Sequence, residues 1–363
     1  MSMMIPKFRS VSDSLRNLIG EMMFIATTSI VLINVAIVRW WVVGAIASSI
    51  YIVFGGYLLG KAFFNDEKAS VRFMLGVFLL FSLFILGTAA VTVVYELNIS
   101  SLAGILFAPL VLSVPYSKLR GRNLVKGRGK VQNLGSVSYF SPLYNLFIVP
   151  ITFCLYLLVK ARSGWVYGTV WDVMSPTFFL AYFSAAFGLV LIILFCNTRA
   201  SAKMVLIAAF SLVSTTIFAV VLYPGNVGDP FSHMGWARMI VDYGSLRGYW
   251  FTAKLSPWTV YWLLKAKGLA LLTATVAKMS LIDVYWVHTF ITPVLWGVFI
   301  PLTAYKIAKT MGWDNNASVL AAFLTTFYST FVTWGSRSTA NSLGYVSFFL
   351  SLSFSLQYLR VVG

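Results

Sequence analysis

The chain has 363 residues, of which 59% are hydrophobic, 17% aromatic and only 10% charged. Soluble domains run nearer a quarter charged and under half apolar, so a water-soluble globule is excluded, as the mean hydropathy of +0.85 also indicates. Apolar content this high excludes disorder, and the chain is too long and too apolar for a disulfide-stapled scaffold. Cys154 and Cys196 both lie inside apolar runs and say nothing about redox compartment. A net charge of +17 would point to nucleic acid in a soluble protein. Here it reads as loop charge on a polytopic membrane protein, and no nucleic-acid partner is expected.

A helix needs about 20 mostly apolar residues to cross the hydrocarbon core. On that rule the sequence predicts spans near 21–38, 40–60, 73–95, 99–115, 143–159, 176–196, 204–223, 284–304, 316–335 and 341–359. The runs are continuous rather than alternating, so the expected fold class is all-α, a transmembrane bundle of about ten spans rather than a barrel. A further apolar segment, 256–277, carries Lys265 and Lys267. Charge at mid-bilayer is costly, so this segment is expected to lie in or dip into the interface. With ten spans, most of the 27 basic residues fall on the side of the N-terminus, which predicts a cytoplasmic N-terminus in the cell membrane. The first apolar run is long and has no small-residue cleavage site, so no cleavable signal is expected.

Three local features precede the main motif. The basic stretch Lys118 to Lys130 reads either as an ordinary cytoplasmic loop or as a contact for anionic or pyrophosphate lipid. Gly56 and Gly60 form a GxxxG, a spacing that permits close helix packing. Asn98-Ile-Ser100 is a formal glycosylation sequon in a turn of a few residues, where it is expected to go unused.

Polarity concentrates in 224–283, after the seventh span. Pro224 and Gly225 end that span. Asp229 followed by Pro230 is a helix start, a carboxylate at the N-cap and proline at the first helical position. The helix is expected from Pro230 to about Tyr243, lying on the membrane and ended by Gly244. Asp229 and His233, four apart, can share a face. Two readings fit them: a cap and an interfacial imidazole, or a site. The domain division that follows is 1–203, an N-terminal membrane region of about six spans, and 204–363, a second module with its outer loop at 224–283.

The string Gly228-Asp-Pro-Phe-Ser-His-Met-Gly-Trp-Ala-Arg-Met-Ile-Val-Asp-Tyr-Gly244 resembles the first outer-loop motif of the GT-C superfamily of membrane glycosyltransferases. It is closest in style to archaeal members, to oligosaccharyltransferase catalytic subunits and to protein mannosyltransferases. Lys254-Leu-Ser-Pro257 to Leu264 resembles the stretch that follows in such enzymes, and Thr333-Trp-Gly-Ser-Arg-Ser-Thr-Ala-Asn-Ser342 their second outer loop. The resemblance covers 204–363. Two departures stand beside it. Ala340 and Asn341 occupy positions where many relatives carry an acidic residue, and the chain stops after the module's fourth span, as a fragment, a split gene product or a degenerate member would.

The resemblance implies transfer of a sugar from a polyprenyl-phosphate lipid to a saccharide or protein acceptor at the outer membrane face. Such chemistry needs a base for the acceptor and positive charge for the leaving phosphate. Asp229 is the implied base, or a ligand to Mg²⁺ or Mn²⁺, with His233 assisting. Arg238, Lys254 and Arg337 are the cations available for the donor phosphate. Asp242 lies near the other end of the helix, roughly 20 Å from Asp229 at 1.5 Å per residue. A lipid-linked saccharide transporter or flippase, which would place polar residues inside spans, and a non-catalytic membrane scaffold are the other classes.

Overall fold

The computed structural model describes residues 5–65, 67, 69–121, 142–161, 174–221, 229–245, 257–327, 335 and 339–362; within these, the side chains of 5–18, 117–121, 229–232, 257–267 and a few others lie outside the description. The described residues form twelve helices: α1 (Ile5–Ile33, continued by a π-helical turn, Asn34–Val38), α2 (Trp41–Phe63), α3 (Ala69–Val94), α4 (Ile99–Gly121), α5 (Pro142–Lys160), α6 (Pro176–Phe195), α7 (Ala200–Val221), α8 (Asp229–Tyr243), α9 (Pro257–Ser280), α10 (Val284–Thr310), α11 (Asn315–Leu324) and α12 (Ala340–Val362). The protein is all-α. Eight segments are long and apolar enough to cross a membrane: Ile19–Val38, Trp41–Phe63, Val71–Thr92, Ile99–Tyr116, Pro142–Lys160, Pro176–Phe195, Ala200–Ile217 and Val284–Thr310. These match the first eight expected spans.

The last two expected spans differ. Within 316–335, helix α11 ends at Leu324, where the ladder gives way to i to i+3 bonds from the Thr326 N–H to the Phe323 carbonyl and from the Phe327 N–H to the Leu324 carbonyl. The final segment is a 23-residue helix, but Ser342, Ser347, Ser351, Ser353 and Ser355 dilute its apolar character. The segment expected at the interface, 256–277, is the helix α9. Its second half is buried around its whole circumference, from Leu269 through Ala274. Side chains there are small or apolar on every face, and such a helix belongs inside protein.

The chain divides into two compact units, residues 1–130 with 234–287 and residues 131–233 with 288–363. In the first, α2 packs against α1, α3, α4 and α9, and α9 also lies along α3. Tyr51 of α2 is the hub. Its ring lies 5.0 Å from Phe24 of α1 and 6.1 Å from Phe84 of α3, and its hydroxyl donates to the Leu106 carbonyl of α4 at 2.8 Å. Between α2 and α3 the backbones nearly touch: a Cβ on Gly76 would strike the Gly56 carbonyl oxygen. The GxxxG at Gly56 and Gly60 is therefore a packing surface, with Gly76 as its partner. The Thr88 and Thr275 hydroxyls, 2.5 Å apart, join α3 to α9.

In the second unit, α5, α6, α7 and α11 enclose a core that includes Phe147, Cys154, Phe178, Leu189, Phe210 and Phe323. Tyr182 stacks on Phe210 at 4.8 Å and shares a hydrogen bond with Ser214. Helix α10 meets α7 where Gly297 faces Leu212 and where Thr215 donates to the Pro293 carbonyl at 3.0 Å. The Trp296 indole donates to the Ser342 carbonyl of α12 at 2.9 Å.

Candidate functional site

Helix α8 lies where the sequence places it, but starts one residue early, with Asp229, expected as the cap, as its first helical residue. It begins at Asp229, with Pro230 in its first turn, and ends at Tyr243. Gly244 follows with φ +73°, and its N–H bonds the Ile240 carbonyl at 3.0 Å, a left-handed helix stop. A side chain here would also meet Glu96 at 3.1 Å, so both conformation and packing require glycine. The Leu97 N–H donates to the Gly244 carbonyl, tying the end of α8 to the turn between α3 and α4.

The helix is two-faced. His233, Ala237 and Ile240 are buried at the i, i+4, i+7 spacing of one face, while Gly235, Arg238 and Asp242 are exposed. His233 is only 2% exposed, so it is a core-side imidazole of α8 rather than a solvated one.

Arg238 is engaged on the exposed side. Its Nη1 donates to Asp283 Oδ2 at 2.6 Å, and its Nε lies 3.6 Å from Asp242 Oδ2. The hydrogen bond and charge of Asp283, with a smaller contribution from Asp242, hold the guanidinium above its ordinary pKa. A phosphate approaching Arg238 would meet a cation already shared between two carboxylates. Asp283 has a second role: its Oδ1 accepts the Tyr285 N–H at 2.8 Å, capping α10. Lys278 of α9 donates to the Val241 carbonyl at 3.3 Å in the last turn of α8. Burial pushes this ammonium below its ordinary pKa, with Asp242 and Glu96 drawing it back up.

Of the residues singled out in the sequence, the structure joins Arg238 to Asp242 and presents His233 on the opposite face of the same helix. The Asp229 side chain, Lys254 and Arg337 lie outside the described residues, as do residues 122–130 of the basic stretch. Asp283, Lys278 and Glu96 were not foreseen as neighbours of α8. The Asp283 cap before an apolar helix was a local signal, but its pairing with Arg238 crosses 45 positions. Lys203 is the other surprise. Read from sequence as loop charge, it is 3% exposed, reaching back to the Ile193 carbonyl at the end of α6 (2.7 Å) and to Asn316 Oδ1 (3.2 Å). Long basic side chains often satisfy terminal carbonyls in this way.

Among the described residues no group of three or more His, Cys, Asp or Glu could hold a metal ion. No known family matches the chain, no curated protein matches it, and no solved structure matches it. What sequence and structure together identify is a polytopic helical membrane protein.

Proposed function

We propose that the protein is a membrane glycosyltransferase that moves a sugar from a polyprenyl-phosphate-linked donor to a saccharide or protein acceptor at the outer face of the cell membrane, with a cytoplasmic N-terminus. The observation that carries the reading is α8, a short two-faced helix that follows a span, begins at Asp229 and has its far end tied down through Gly244, Lys278 and Arg238. In this reading α8 is the juxtamembrane helix of the outer loop, and Asp229 sits at its N-terminus. Its carboxylate takes the proton from the acceptor, or helps hold Mg²⁺ or Mn²⁺. Lys254 and Arg337 neutralise the leaving phosphate. His233 orients the first turn from the buried face. Arg238, bridged to Asp242 and Asp283, reaches the phosphate only by exchanging a carboxylate for it.

A second reading, a lipid-linked saccharide transporter or flippase, is favoured by one observation: Lys203 and Lys306 are both buried near the ends of candidate spans, and buried ionisable groups in such helices can mark transport paths. Transfer of radiolabelled sugar from polyprenyl-phosphate donors in membranes, wild type against Asp229→Asn, tests the first reading. Asparagine keeps most of the capping ability, so the variant should fold. Transfer present in wild type and lost in the variant supports chemistry at Asp229. Equal transfer in both reduces Asp229 to a cap, and absence of transfer from a well-folded wild type favours the transporter or a scaffold.

A further inference from the structure

Arg39 joins the π-helical turn of α1 to α2 in the left-handed region, φ 53° and ψ 35°. That conformation costs an L-residue free energy that glycine avoids. Leu281, the other non-glycine residue with positive φ among those described, is half-buried. Arg39 is exposed, and its side chain makes no hydrogen bond, ion pair or ring contact with the described residues. The strain is thus not offset by anything its guanidinium does within them.

The turn that presents Arg39 is firmly built. Its own N–H bonds the Asn34 carbonyl at 2.7 Å. Buried Asn34 then clamps the next residue from both sides, donating to the Trp40 carbonyl at 3.1 Å and accepting the Trp40 N–H at 3.2 Å. Around the guanidinium the surface is apolar and open: Ile37 is 75% exposed, Val38 52%, Trp40 55% and Trp41 60%.

We propose that Arg39, with Trp40 and Trp41, is a docking site for the phosphate of a membrane phospholipid. Ile37 and Val38 end a membrane-spanning segment and belong against hydrocarbon. Exposed tryptophans at a span end settle at the headgroup level. A guanidinium beside them in the chain cannot remain in hydrocarbon, which leaves it in the phosphate layer. There its planar fork suits bidentate contact with phosphate oxygens. The apolar flanks fit a lipid, whose chains cover them, better than a free phosphate ion, which would leave them wet.

The test uses the full chain in neutral detergent, titrated with fluorescently labelled phosphatidylglycerol, and two variants. Arg39→Gly relieves the backbone and should melt no lower than wild type in detergent alone, yet bind the labelled lipid at least about tenfold more weakly, through loss of the charge-assisted bidentate contact. Arg39→Gln keeps the strain and the stem but not the charge, and should lose the same affinity. Lipid binding unchanged in either variant overturns the proposal. A thermal shift from inorganic phosphate equal to that from the lipid also overturns it, since the site would then be one for soluble anions.

Discussion

The closest backbone approach in the first unit makes a quantitative prediction. A methyl group on Gly76 would run into the Gly56 carbonyl oxygen and lie 2.5 Å from the Gly60 nitrogen and 2.8 Å from its Cα. All three are backbone atoms of α2, so no side chain can swing aside and the helices must separate. Separation would also loosen Val77 against Gly56 and Arg72 against Gly60, where the fit is tight but less close. Overpacking of this kind costs about 1–3 kcal/mol, and Gly76→Ala should fall at the upper end because the obstacle is rigid. Alanine's helix propensity would return up to about 1 kcal/mol in water, and less in a bilayer, where the helices persist without tertiary contacts. Gly104→Ala is the control, since nothing lies within 4 Å of a Cβ there. Reversible unfolding in mixed detergent micelles should show Gly76→Ala destabilised and Gly104→Ala unchanged or slightly stabilised. Equal stability of the two variants would refute the close α2–α3 contact.

Other consequences are open to the same unfolding measurement. Tyr51→Phe leaves the Leu106 carbonyl without its side-chain donor and should cost about 0.5–1.5 kcal/mol, whereas Tyr51→Ala empties the hub and should cost about 3–5 kcal/mol. Asn98 caps α4, its Oδ1 accepting the Ser101 N–H at 2.9 Å while its own N–H donates to the Ser101 hydroxyl. Asn98→Ala should therefore cost about 1 kcal/mol, and expression in a glycosylating host should add no mass at this sequon. Burial lowers the Lys278 pKa in the folded state. The unfolded chain then holds the proton to higher pH, so stability should rise as pH climbs through the folded pKa towards the ordinary 10.5. Lys278→Met should abolish that rise, and a rise of the same size in the variant would refute the assignment.

The sequence by itself determined the eight segments long and apolar enough to cross the membrane and where α8 stops. Hydropathy is legible because lipid offers the backbone no partners, so each span must close its own hydrogen bonds within one continuous apolar stretch. The stop is legible because Gly244 acts on its own turn. Tertiary structure alone decided the partners. The Gly56–Gly60 spacing announced a flat helix face but not that Gly76 would fill it. Two lysines in its first half suggested that 256–277 lies in or dips into the interface, but not that Leu269 to Ala274 would be buried against α2 and α3, a surface that no local pattern reveals. Lys203 counts as loop charge by position, but its ammonium ends on the Ile193 carbonyl once α6 and α7 pack. Arg238 looked free for phosphate until folding brought Asp283 within 2.6 Å. In each case the deciding partner is distant in the chain or reached only by a long side chain, and contacts of that kind are set by packing rather than by spacing.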